Sequence, residues 1–286
     1  MHTRPGIVGG FVLAEPHTDL DDHLAAAKTR DTELAAPCGC AANRGFTIGT
    51  AESYAVLALA IRPRVEIPDE IADLDAAHRD MRRVEAVFAD RFGACAQSRL
   101  GVRGGTVVTP AAAGSGFDGL VADLAADPHV EVTTTVVFAD STQIAQSVDR
   151  AHELLDVALR LRLRPGLYGF DDLALEYQLT RPGPGRDHLE AKLAPLGEHE
   201  ELWTTLACYM ANDYKRRCTA RALNVHPNTV DNRLKRIAKL TGLDPMQPEG
   251  AWCLRSALVI RAYRDGAVPP PPLARSGHPM NTAVAS

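Results

Sequence analysis

A chain of 286 residues that is 45% hydrophobic can build two separate cores, and its length favours two domains. A net charge of −5 and a pI near 6.1, if evenly spread, would argue against a nucleic-acid partner. No apolar run nears the roughly 18 residues that cross a bilayer, and no basic-then-apolar leader marks the chain for secretion, so a cytoplasmic protein is expected.

Residues 1–50 are the least patterned and are expected to be a connecting segment, with a helix from Asp19 to Leu34 and a connection around Pro37–Gly45. Tyr54 to Ile61 is an unbroken apolar run, the signature of a buried strand. From Pro68 to Phe92 the apolar residues Ile71, Leu74, Ala77, Met81, Val84 and Val87 recur at helical spacing. Ala94–Val102 and Thr106–Val108 read as strands joined by a hairpin turn at Arg103-Gly104-Gly105. A short helix is expected over Phe117–Ala126, then a strand from Val130 to Phe138, rich in Val and Thr. Thr142 to Arg162 is amphipathic, with Ile144, Val148, Ala151, Leu155 and Ala158 on one face. This order predicts an α/β sandwich over residues 51–178, one mixed sheet with helices packed on it.

Pro182, Pro184 and Pro195 mark 179–199 as a linker. A helix follows from Glu200 to Asn212 with Leu202, Leu206, Tyr209 and Met210 as its buried stripe. The last helix, after Pro245 and Pro248, places Leu254, Leu258 and Ala262 on one face. Beyond Asp265 the run Pro269–Pro272 predicts a disordered tail. The chain is therefore expected to be α+β overall, a sheet domain followed by a small all-α domain over 200–264. Its six cysteines, Cys38, Cys40, Cys95, Cys208, Cys218 and Cys253, are scattered, which favours reduced thiols over a disulfide framework. Cys38-Gly-Cys40 has no second Cys or His pair at ligand spacing, so no metal or other cofactor is expected.

The most informative stretch is 219–242. Ala220 is small where two helices must cross, and Leu223, Val225, Val230, Leu234 and Ile237 supply apolar contacts between them. Asn224 falls where a tight turn needs positive φ, and Asn tolerates that conformation better than other non-glycine residues. Pro227 suits the first position of a helix, where an N–H is not needed, and Gly242 is a stop signal. Together these define a helix-turn-helix. Charge is distributed accordingly: residues 1–200 hold 19 basic and 30 acidic side chains, a net of −11, while 201–264 hold 11 and 5, a net of +6. A small basic module beside an acidic one is the footprint of a DNA reader.

On the second helix of the motif, His226, Pro227, Asn228, Asp231 and Asn232 occupy the positions that face base edges. Asn228 and Asn232 have the donor–acceptor pair that matches adenine; Asp231 either accepts from cytosine N4 or pairs with Lys235 one turn on, the second being favoured. His226 also suits the N-cap. Lys215, Arg216, Arg217, Arg221, Thr229, Arg233, Lys235, Arg236 and Lys239 are the expected phosphate contacts, which supply affinity without reading sequence. One such motif covers a half-site, so a homodimer or larger assembly on double-stranded DNA is expected.

Leu202-Trp-Thr-Thr-Leu206, His226-Pro-Asn-Thr-Val230, Arg233-Leu-Lys-Arg-Ile237 and Leu240-Thr-Gly242 closely resemble the helix-turn-helix domain of PucR/CdaR-type bacterial transcriptional regulators. Residues 50–178 are more weakly similar to the GGDEF-like domain that precedes it in such regulators. The resemblance implies a transcriptional regulator responding to an effector it does not identify, since only about 50 residues stand where relatives carry a sensor. It differs from the family at Asp231-Asn232, where a basic or aromatic pair is usual. Two alternatives remain: an interaction module that forms mixed oligomers with full-length relatives, or a nucleotide-binding, cyclase-like domain. Against catalysis, the hairpin Arg103-Gly-Gly-Thr-Val107 lacks the acidic residues that cyclase chemistry uses to hold Mg²⁺. No catalytic residues are assigned.

Overall fold

The computed structural model describes residues 51–63, 70–93, 96–111, 117, 119–126 and 130–265. The expected helix at Asp19–Leu34, the Cys38-Gly-Cys40 pair and the proline tail lie outside these residues.

Strand β1 (Tyr54–Pro63) is the centre of a five-stranded mixed sheet. It pairs antiparallel with β3 (Gly104–Pro110) on one side and β4 (Val130–Ala139) on the other, Leu57 lying opposite Val107 and Val136. Strand β2 (Gln97–Gly101) closes a hairpin against β3, and β5 (Gly166–Tyr168) adds a parallel edge to β4, giving the order β2-β3-β1-β4-β5. The apolar run of β1 is explained by burial on both faces. Ala55, Leu57, Leu59 and Ile61 pack with Val84 and Phe88 of α1 (Glu70–Phe92) and with Leu120 and Leu124 of α2 (Leu120–Ala125). Val56, Ala58 and Ala60 pack with Ile144, Val148, Ala151, Leu155 and Ala158 of α3 (Ile144–Arg160), the face its periodicity predicts. Within this second layer Thr135, fully buried, donates its hydroxyl to the Ala151 carbonyl at 2.7 Å, so its burial leaves no unmatched donor.

Two local expectations change. Leu74, placed on the buried stripe of α1, is 56% exposed, and the buried contacts come from the i, i+4 pair Val84 and Phe88. The hairpin turn sits at Val102-Arg103, while Gly104 and Gly105 already belong to β3.

After β5 the chain forms α4 (Phe170–Thr180), whose first turn is closed by Asp172 accepting from the Gly169 N–H at 2.7 Å. Tyr177 of α4 and Arg181 both donate to Glu153 of α3, at 2.6 and 2.8 Å, and the Arg181 guanidinium lies 4.6 Å over the Tyr177 ring. Burial pushes the Glu153 carboxyl up, but the hydrogen bonds from Tyr177 and Arg181 outweigh it and hold the group below the ordinary 4.5. A lowered carboxyl stabilises the fold above its ordinary value, and that contribution is lost as pH falls through the lowered one. Urea midpoints of the native chain should therefore drop more steeply below pH 4.5 than those of Glu153→Gln; parallel curves would contradict it.

The stretch 179–199, read from its prolines as a linker, is folded. It holds α5 (Pro184–Ala191) and a 3-10 turn (Ala194–Leu196), and Leu193 and Leu196 are buried among the C-terminal helices. These are α6 (Glu200–Ala211), α7 (Arg216–Ala222), α8 (Pro227–Thr241) and α9 (Pro248–Asp265). Leu202, Leu206, Tyr209 and Met210 of α6 meet Ala220, Val230, Leu234, Ile237, Leu254, Ala257 and Leu258 in one core. The fold is thus α+β, as expected, with a mixed sheet covered by helices and an all-α C-terminal part.

Helix α9 belongs to both cores. Leu254, Ala257 and Leu258 pack with the C-terminal helices, whereas Val259 and Ala262 pack with α3 and the sheet. Beside them the Tyr263 hydroxyl donates to the Asp156 carboxylate of α3, and Arg160 both pairs with Asp156 at 2.7 Å and lies 5.2 Å over the Tyr263 ring. Burial, reinforced by that bond, pushes the Tyr263 phenol well above its ordinary value, so it stays a donor.

Candidate nucleic-acid interface

Helices α7 and α8 are joined by a turn whose geometry is set residue by residue. Asn224 takes φ 51°, and the Val225 N–H closes on the Ala220 carbonyl at 2.9 Å. His226 is the N-cap of α8, its Nδ1 accepting from the Asn228 N–H at 3.2 Å, and Pro227 begins the helix. At the other end Gly242 takes φ 72° and its N–H returns to the Ala238 carbonyl at 2.9 Å. Between these caps Val230, Leu234 and Ile237 have no exposed surface. Burying each is worth about 1.5–3 kcal/mol, which seats α8 firmly on α6 and α7.

The opposite side of α8 is open. Asn228, Asn232, Lys235 and Lys239 are exposed and fall at i, i+4, i+7 and i+11, a single stripe along the helix. Among the described residues, none of these four side chains is hydrogen-bonded or ion-paired within the chain. Arg217 and Arg221, one turn apart on α7, are likewise exposed and unpaired among the described residues. Lys215 sits 3.3 Å from Asp213, but both are well exposed, and such a pair is worth little and exchanges readily for phosphate.

The other expected contacts are placed differently. Asp231 pairs neither with Lys235 nor outward: both of its carboxylate oxygens accept from Arg216 of α7 at 3.1 Å. This bond, made by Arg216 Nη1 alone, ties α7 to α8. Arg233 turns inward and donates to Thr205 of α6 at 3.1 Å, and Thr205, fully buried, donates in turn to the Glu201 carbonyl. Arg236 leans towards the start of α6, 3.8 Å from Glu201 and 3.5 Å from His199. His226 and Thr229 face the turn rather than the stripe, Thr229 being half-buried. The inward role of Arg233 was readable in principle, because it stands three residues after Val230 and four before Ile237, on the buried side. Nothing in the sequence alone joins Asp231 to Arg216.

Arg233→Ala should accordingly lower stability by about 1–2 kcal/mol, the net worth of a part-buried hydrogen bond from a charged donor, while leaving the salt dependence of DNA binding unchanged. A salt slope lowered by about one, with no loss of stability, would return Arg233 to the phosphate backbone.

A core shared by four helices, with the second helix of the motif exposed on its far side, defines a helix-turn-helix domain. Residues 202–260 match the PucR C-terminal helix-turn-helix domain. The chain is 48% identical over 59 residues to an uncharacterised protein of Mycobacterium tuberculosis, a match covering 21% of this chain and 14% of the relative. An uncharacterised protein of Bacillus subtilis, YsfB, is 31% identical over 105 residues, covering 36% of this chain and 28% of that one. The chain therefore aligns with well under a third of the length of these relatives. A regulator of polyketide synthase expression from Bifidobacterium adolescentis aligns in structure over 76% of this chain and 84% of its own, with 19% identity and a TM-score of 0.31.

Proposed function

We propose that the chain is a sequence-specific, DNA-binding transcriptional regulator, acting in the cytoplasm as a homodimer or larger assembly rather than as an enzyme. The observation that carries this reading is the divided surface of α8: a fully buried face of Val230, Leu234 and Ile237 and, opposite it, an unpaired stripe of Asn228, Asn232, Lys235 and Lys239. Such a helix presents hydrogen-bonding amides to base edges and ammonium groups to phosphates. The net charge of +6 over 201–264 favours approach to DNA. The match of residues 202–260 to a helix-turn-helix family supports the same reading.

We read residues 51–178 as a degenerate GGDEF-like domain, the place where a small-molecule effector and a second protomer would act. Gly104 and Gly105 in this reading serve strand packing, and the turn beside them carries Arg103 instead of a carboxylate. The test is fluorescence anisotropy of the full chain on DNA upstream of its own coding region and on a scrambled duplex, across a salt series. Preference for the native duplex, with affinity falling linearly in log salt, is expected. Equal, weak and salt-insensitive binding to both would overturn the proposal.

A further inference from the structure

We infer that the half-site read by α8 contains two A·T pairs one or two base-pair steps apart, one held by Asn228 and the other by Asn232. This rests on the DNA-binding reading above and names the chemistry of its ligand.

Four observations converge. Asn228 and Asn232 lie one turn apart in the N-terminal half of α8, both are exposed, and among the described residues neither amide is spent on a bond within the chain. A carboxamide carries a donor and an acceptor side by side, which matches the N6 donor and N7 acceptor of adenine in the major groove; guanine offers two acceptors there. Some of the groups that would read other bases are engaged within the chain. Asp231, suited to cytosine N4, is held by Arg216; Arg216 and Arg233, suited to guanine, are held by Asp231 and Thr205. Finally, residues four apart lie about 6 Å apart along the helix axis, and on a helix laid along the major groove residues about one turn apart meet bases one or two steps apart. Lys235 and Lys239 continue the same stripe beyond the amides, where the groove wall brings phosphates to the helix.

The experiment is selection of duplexes from a randomised pool by the full chain, followed by anisotropy with 7-deazaadenine, which lacks the N7 acceptor, at each selected adenine. Two adenines in that spacing should be recovered. Replacing either should weaken binding about ten-fold in the native chain. That loss should vanish for one adenine in Asn228→Ala and for the other in Asn232→Ala, with unchanged thermal unfolding of both exposed-site variants. Tight, selective binding to sites without such adenines, or insensitivity to 7-deazaadenine in the native chain, overturns this inference alone. Absence of salt-dependent binding to any duplex overturns the DNA-binding reading itself, and the inference with it.

Discussion

Gly104→Ala should cost the fold at least about 3 kcal/mol, combining overpacking with backbone strain, and leave much of the chain unfolded under mild conditions. Gly104 takes φ 131°, and a Cβ there would lie 2.0 Å from the Leu59 carbonyl oxygen and 3.0 Å from the Ala60 Cα. Both are backbone atoms of β1, which is buried on both faces, so no side chain can swing aside to make room. At Gly105 the same construction meets the Arg99 carbonyl oxygen of β2 at 2.0 Å. The two glycines thus let three strands approach one another. Gly185→Ala is the control: nothing lies within 4 Å of its added carbon, and a small gain of about 0.5–1 kcal/mol is expected in a helix. Urea denaturation of the two variants measures the contrast, and a Gly104→Ala midpoint near the native value would show that β1 yields.

Removing the two lysines of the open stripe should act on binding without touching the fold. Lys235→Ala with Lys239→Ala deletes two cations that the chain itself leaves unpaired, so no internal partner is stranded. Each phosphate contact contributes about 0.9 to the slope of log affinity against log salt, and the double variant should lose about 1.8 of that slope. At physiological salt the loss falls on native and scrambled duplexes alike, because phosphate contacts carry no sequence information. Anisotropy titrations at several salt concentrations, with thermal unfolding as the check on folding, measure both. An unchanged slope would move the DNA-facing surface away from this side of α8.

The contrast with Arg233 and Arg236 shows what was legible in the sequence. The turn at Asn224, the start at Pro227 and the stop at Gly242 are local requirements of backbone geometry, so few residue types meet them and the sequence displays them openly. Amphipathic α3 and α6 were legible for a similar reason, since their buried faces repeat over several turns. The three residues of β5 and the short α5 carry too little periodicity to register. The mixed apolar and acidic pattern of α4 gives no clear stripe either. Charge was the weakest guide within the reading head. A basic side chain announces its sign but not its direction, and it took the position of Thr205 and Asp231 to sort inward from outward arginines. Leu74 is the counterpart among apolar residues, on the periodic stripe of α1 yet outside its packed turns.

A helix with one half in each of two cores changes how the molecule comes apart. Leu254 and Leu258 are buried against the reading head while Val259 and Ala262 are buried against α3, and consecutive positions of a single hydrogen-bonded rod cannot melt independently. The stability of the C-terminal helices is therefore expected to depend in part on that of the sheet. Any agent that loosens the packing around Asp156 and Tyr263 draws on the same free energy that keeps α8 in place. The shared helix therefore couples the unfolding of the two cores.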